Sequence, residues 1–151
     1  MYSTFFIKLG LAVGLGFLIG LEREFQKKSM GIKTSSLITL GAMLFVLMSS
    51  TMTDGDNTRI VAQVVSGIGF LGAGIIFKDG TSVKGLTTAA TAWTAAAVGC
   101  LVGTGMYVEA ASGTAVILLI NIVITRIELW EKKRRLAEQR QKDNDKINTQ
   151  A

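Results

Sequence analysis

Two short stretches hold most of the polar density from which chemistry could be built. Glu22-Arg23-Glu24 places three charges at the end of a long apolar run, and Lys78-Asp79 through Lys84-Gly85-Leu86-Thr87-Thr88 leads into another. Charges at helix ends can pair across neighbouring helices. One expectation is therefore an ion-pair network of Glu22, Arg23, Glu24 and Lys84 that locks helix ends together. The plainer alternative is a solvated helix end, where an exposed pair is worth only ~0–1 kcal/mol. A third stretch, Gly67-Ile-Gly69-Phe-Leu-Gly72, has the G-x-G-x-x-G spacing of a dinucleotide loop. That loop needs a preceding strand, a phosphate at a helix start and an acid about 20 residues later. Here the glycines sit inside an apolar run and the next acid, Asp79, is too near, so helix packing is the better reading. Histidine and proline are absent and there is one cysteine. That removes a histidine base or ligand, an intrachain disulfide and a nucleophile–histidine pair, and no Walker loop is present. No enzyme activity, cofactor or metal site is expected. Cys100 lies in an apolar run, where a small packing residue is expected ahead of a reactive thiol.

These residues must be positioned by greasy helices. The chain has 151 residues, 49% hydrophobic and only 18% charged, and its apolar residues come in long uncharged runs. No charge lies between Arg59 and Lys78, so Val61–Phe77 can cross hydrocarbon as one helix, at about 1.5 Å rise per residue. Gly67, Gly69, Gly72 and Gly74 crowd into this run. In water each would weaken a helix by roughly 1 kcal/mol, whereas in lipid small residues let backbones approach closely. This run is expected to be the central span of the domain. Gln63 and Ser66 add polar groups that need partners.

Four further spans are expected. Phe5–Leu21 carries Lys8, which can snorkel to the interface, and has Gly10-x-x-x-Gly14 and Gly16-x-x-x-Gly20 as packing faces. A cleaved signal peptide is the alternative there, but no small-residue cleavage site follows. Thr34–Thr53 is the second span, followed by a turn at Asp54-Gly55-Asp56-Asn57. After the glycine-rich run, Lys78-Asp79-Gly80-Thr81 is a second turn. Gly85–Val108 holds the fourth span, with Thr87, Thr88, Thr91 and Thr94 along one face; that stripe serves either packing or a polar pathway. The fifth covers about Ala110–Thr125 and continues past Arg126, supported by the pairs Glu128–Lys132 and Glu131–Arg135. From Asp143 the tail is polar and is expected to fray. The fold class is thus an all-α membrane protein: a bundle of about five transmembrane helices over 1–128 and a basic tail over 129–151.

Five spans put the termini on opposite sides. Fourteen of the sixteen basic residues fall on one side and only Lys8 and Arg59 on the other, so the N-terminus is expected outside and the C-terminus in the cytoplasm. The basic tail abuts a span and lacks interleaved aromatics. Attraction to anionic lipid is expected, not nucleic-acid binding.

Three blocks together resemble the MgtC/SapB family of bacterial membrane proteins: GFLIGLEREFQKKSMGIKTSSLITLGAMLFVLMS (Gly16–Ser49), RIVAQVVSGIGFLGAGIIFKDG (Arg59–Gly80) and VKGLTTAATAWTAAAVGCLVGTGMY (Val83–Tyr107). The resemblance implies a five-span inner-membrane domain and a role in adaptation to magnesium limitation and, in pathogens, in survival inside phagocytes. It implies a modulator that binds other membrane proteins, the rotary ATP synthase foremost. Its functional positions fall on Glu22, Arg23 and Glu24, on Gln63 with Gly67, Gly69, Gly72 and Gly74, and on Lys84, Gly85 and Thr87. Some members carry Asn where Thr87 stands. Longer members add a soluble C-terminal domain, and this chain stops after its basic tail.

The leading expectation is a non-enzymatic regulator acting by helix–helix contact within the bilayer. A magnesium or proton transporter or channel is the rival. Such a path normally carries buried carboxylates, and here every Asp and Glu lies at or beyond a span end. A homo-oligomer built on the same glycine faces is the third reading.

Overall fold

The computed structural model describes residues 2–50 and 57–150, excepting the side chains at 57, 128, 129, 132 and 140–150. Helix α1 runs Tyr2–Phe25, α2 Ile32–Ser50, α3 Asn57–Ile75, α4 Leu86–Thr104 and α5 Tyr107–Gln150. Between α3 and α4 a two-stranded antiparallel hairpin pairs β1 (Phe77–Asp79) with β2 (Ser82–Lys84), Asp79 opposite Ser82. Among the described residues, five helical segments are long and apolar enough to cross a membrane. The chain divides into two compact units, Met1–Leu118 and Leu119–Ala151, the division falling within α5.

Element ends follow local chemistry. The glycine-rich helix stops at Ile75, short of the expected Phe77, which enters β1 instead. The cause is the following turn: the two residues Gly80-Thr81 link the strands, with Gly80 at φ 61°, a turn that asks for glycine at its first position. Gly85 (φ 89°) redirects the chain into α4; a Cβ there would strike the carbonyl of Ile75. At the other end Gly105 (φ 88°) closes α4, its N–H donating to the Val102 carbonyl at 3.1 Å while Met106 N–H donates to Leu101 at 2.9 Å. This paired pattern satisfies carbonyls that the helix end leaves open. Of the expected turn Asp54-Gly55-Asp56-Asn57, Asn57 opens α3 instead, and residues 54–56, like the end of the second span at 51–53, lie outside the described residues. The tail from Asp143, expected to fray, is helical to Gln150; neither glycine nor proline follows Gly113 to end α5.

In the first unit the core is built around α4, and the expectation of a central glycine-rich span is corrected. Of the spanning stretches, 56% of α4 is buried against 6% of α3. Ala92, Ala95, Val98 and Val102 of α4 meet Ala12 and Ile19 of α1, Met43 of α2 and Ala110 of α5. Small side chains keep α4 thin enough to be enclosed, and the tight glycines belong to its contacts and to those of α1. A Cβ on Gly99 would lie 2.8 Å from Ala42 Cβ and against the Thr39 carbonyl; one on Gly103 would lie 2.8 Å from Val46 Cβ. On α1, Gly16 and Gly20 abut Ser36 and Ile32 of α2 in the same way. By contrast Gly67, Gly69 and Gly74 face open space, and Gly72 meets only Ala89 Cβ, at an ordinary 3.7 Å. Gly10 and Gly14 are open too.

Polar side chains fasten the helices. Thr39 donates to the Ala12 carbonyl across the α1–α2 contact at 2.7 Å, in space left by the missing side chain of Gly16. Lys8 reaches to the end of α4. Its ammonium donates to the Gly103 carbonyl at 2.6 Å, where the negative end of α4 offers an unpaired acceptor. Thr91 and Thr94 donate to the Thr87 and Thr91 carbonyls of their own helix, at 2.8 and 3.0 Å, which favours the packing reading of the threonine stripe. In the second unit Arg135 lies 3.8 Å from Glu131 and the Arg134 guanidinium stacks over Trp130.

Candidate functional site

The expected four-residue network separates into two groups. Lys84 pairs with Asp79 across the hairpin, both side chains about half exposed. The reason is register: Phe77 is opposite Lys84, which puts Asp79 diagonally within the lysine's reach. Glu22, Arg23 and Glu24 remain together at the end of α1, and they are not a solvated helix end. Arg23 is 2% exposed and Glu22 is buried beside it, the nearest approach of the two charges being 3.9 Å.

Each acid of this triplet is occupied. Gln26 donates its side-chain amide to Glu22 Oε1. Glu24 folds back to accept the Ile32 N–H at 3.3 Å, capping the start of α2, and only a glycine at 31 leaves room for that carboxylate. The connection between α1 and α2 is tied back by Gln26, Lys27 and Lys28, whose N–H groups donate to the carbonyls of Glu22, Glu24 and Arg23. Lys27 takes φ 54°, a left-handed conformation uncommon for lysine, which turns the chain toward Met30 and the buried core. The Arg23 side chain is buried, with Nε and Nη2 meeting no acceptor. The spacing of Gly16, Gly20 and Arg23 (i, i+4, i+7) was the signal that Arg23 shares the face packed on α2.

The other candidate positions lie apart. Gln63 and Gly67 line a groove between α2 and α3 with a volume of about 920 Å³. Leu37, Gly41 and Phe45 form the opposite wall and Ala96 of α4 the floor. The Gln63 side chain is exposed, and nothing packs against Gly69 or Gly74. Gly85 acts through its backbone, as the hinge into α4. Thr87 is exposed and its carbonyl accepts the Thr91 hydroxyl. Among the described residues no three His, Cys, Asp or Glu side chains gather as metal ligands would. Sequence reasoning did not anticipate the groove, the Thr39–Ala12 bond or the Lys8 contact, all of which depend on which faces meet.

The profile of the MgtC family matches residues 9–130. The chain is 51% identical over 111 residues to Protein MgtC of Brucella abortus, covering 73% of this chain and 47% of the relative. It is 47% identical over 119 residues to an uncharacterized protein of Synechocystis sp. (78% and 51% covered) and 44% identical over 120 residues to Protein MgtC of Salmonella typhimurium (80% and 52%). The chain thus spans about half the length of the curated relatives it matches. No solved structure matches.

Proposed function

The chain belongs to the MgtC family and is a multi-pass membrane protein, and from that premise we propose that it is a non-enzymatic modulator of another membrane protein. The observation that carries this reading is the outer face of α3. Gly67 and Gly74 lie on one side of the helix with nothing against them, Gln63 is exposed on that same side, and the groove beside them is walled largely by apolar side chains. In hydrocarbon, association rests on close backbone approach and interhelical polar contacts, and this face offers both. The partner favoured by family resemblance is the membrane sector of the ATP synthase, in a setting of magnesium limitation and, in pathogens, virulence. The bias of basic residues supports an inner-membrane orientation with the C-terminus in the cytoplasm, its basic tail against anionic lipid. ATP-driven proton pumping in inverted membrane vesicles tests the reading. Pumping should fall when the protein is present and recover with Gly67→Leu; pumping indifferent to the protein contradicts it.

One observation favours transport of magnesium or protons as a second reading: Glu22 is a buried carboxylate within the first spanning helix. Its bond to Gln26 and its position beside Arg23 weigh against a mobile-ion site. Proteoliposomes containing this protein alone decide: magnesium uptake lost in Glu22→Gln would establish transport, and its absence leaves the modulator.

A further inference from the structure

A guanidinium enclosed by a helix bundle and only partly partnered is a costly feature, because charge removed from water must be matched by acceptors. Arg23 is such a group. Its Nη1 faces Glu22 at 3.9 Å, while Nε and Nη2 are buried and meet no acceptor. The two open nitrogens are not an arbitrary pair. They form one edge of the planar guanidinium, the edge that presents two parallel N–H groups to two oxygens of a single carboxylate or phosphate.

Neither neighbouring carboxylate is placed to fill that edge. Glu22 is held by Gln26 and lies on the Nη1 side, and Glu24 is turned away onto the Ile32 N–H. The other charges nearby in sequence, Lys27, Lys28 and Lys33, are all cationic. The start of α2, with its positive end, also lies close, since Gly20 of α1 abuts Ile32. A helix start and a run of sequence rich in lysine therefore adjoin an unfilled two-pronged donor.

The geometry points to a binding site for a phosphate-type oxyanion at the Nε–Nη2 edge of Arg23, where the connection of residues 26–31 folds back on the end of α1. The phosphate comes either free or as the headgroup of a phospholipid in the adjoining leaflet; both present the same pair of oxygens. Because Arg23 is enclosed, the oxyanion enters when the connection lifts. The connection is tied down by the Gln26–Glu22 and Glu24–Ile32 bonds, so occupancy of the site and the posture of this segment are coupled. This inference stands independently of the proposed partner of α3.

The test uses the whole protein in uncharged detergent, stripped of lipid, with thermal unfolding and native mass spectrometry as readouts. Inorganic phosphate is titrated in one arm and phosphatidylglycerol in the other, for wild type, Arg23→Lys and Arg23→Gln. The lysine keeps the charge and loses the paired edge, and all three proteins keep the same basic tail. Wild type should bind at least about tenfold more tightly than Arg23→Lys in one arm, which identifies the source, and Arg23→Gln should lose the response. Equal binding by all three, or no response of wild type in either arm, overturns the site. Should both variants fail to fold, amide exchange of residues 26–31 in wild type decides: the effective ligand should slow it, and unchanged exchange with both ligands contradicts the inference.

Discussion

Two sets of glycines in this chain look alike in sequence and behave oppositely in the fold. Those of α1 and α4 (Gly16, Gly20, Gly99 and Gly103) are pressed against α2 so closely that a single added carbon would collide. Those of α3 (Gly67, Gly69 and Gly74) touch nothing. The first set closes the bundle, and the second leaves bare backbone on α3, with Gly67 and Gly74 sharing one side of the helix. A small-residue spacing therefore says that a helix can approach something closely. Only the partner helices decide whether that something lies in the same molecule.

The contrast is sharpest under bulky replacement. Gly99→Leu should be the most damaging change, destabilising by about 3 kcal/mol, because the carbonyl of Thr39 and the Cβ of Ala42 cannot both retreat. Gly67→Leu should leave folding within about 0.5 kcal/mol of wild type, as an open surface position does. Unfolding in mixed micelles compares the two, and equal losses would erase the distinction. Gly85→Ala comes next, at about 2 kcal/mol, since φ 89° and the Ile75 carbonyl both oppose a side chain. Thr39→Val keeps the shape and removes the hydroxyl that reaches Ala12, and should lower stability by about 1 kcal/mol by the same measurement. The smallest effect belongs to the hairpin. Lys84→Ala should change stability by about 0.5 kcal/mol or less, because its pair with Asp79 is half exposed. A charge swap of Glu22 with Lys84 should show no rescue in the double variant, whereas swapping Asp79 with Lys84 should show what little coupling exists.

The architecture was legible because span length and charge placement are local properties. Five long apolar runs read directly as five helices, and Lys78-Asp79-Gly80-Thr81 marked the turn before the fourth. The rank of the helices was not legible. Val61–Phe77 has the densest glycines, yet the thin alanine face of Leu86–Thr104 is what the bundle encloses. Both runs have small residues, and the difference arises from tertiary contacts that neither run encodes alone. The charged residues were legible as candidates, but the separation of Lys84 from the Glu22-Arg23-Glu24 triplet was not. Lys84 is drawn off by hairpin register, a relation set four residues away by Gly80, while Arg23 is carried inward by the face it shares with Gly16 and Gly20. That face was available in the spacing, had the glycines of the first span been weighed above those of the third.

The role of the open face is tested most directly by crosslinking from it in native membranes. A photoreactive side chain at Phe70, which is 82% exposed on α3, would be compared with and without Gly67→Leu. An adduct with a membrane subunit of the ATP synthase that disappears in Gly67→Leu, at unchanged protein level, is the expected result. An adduct of equal yield with and without that substitution, or lipid as the sole product in both, would contradict the assignment of this face to a protein partner.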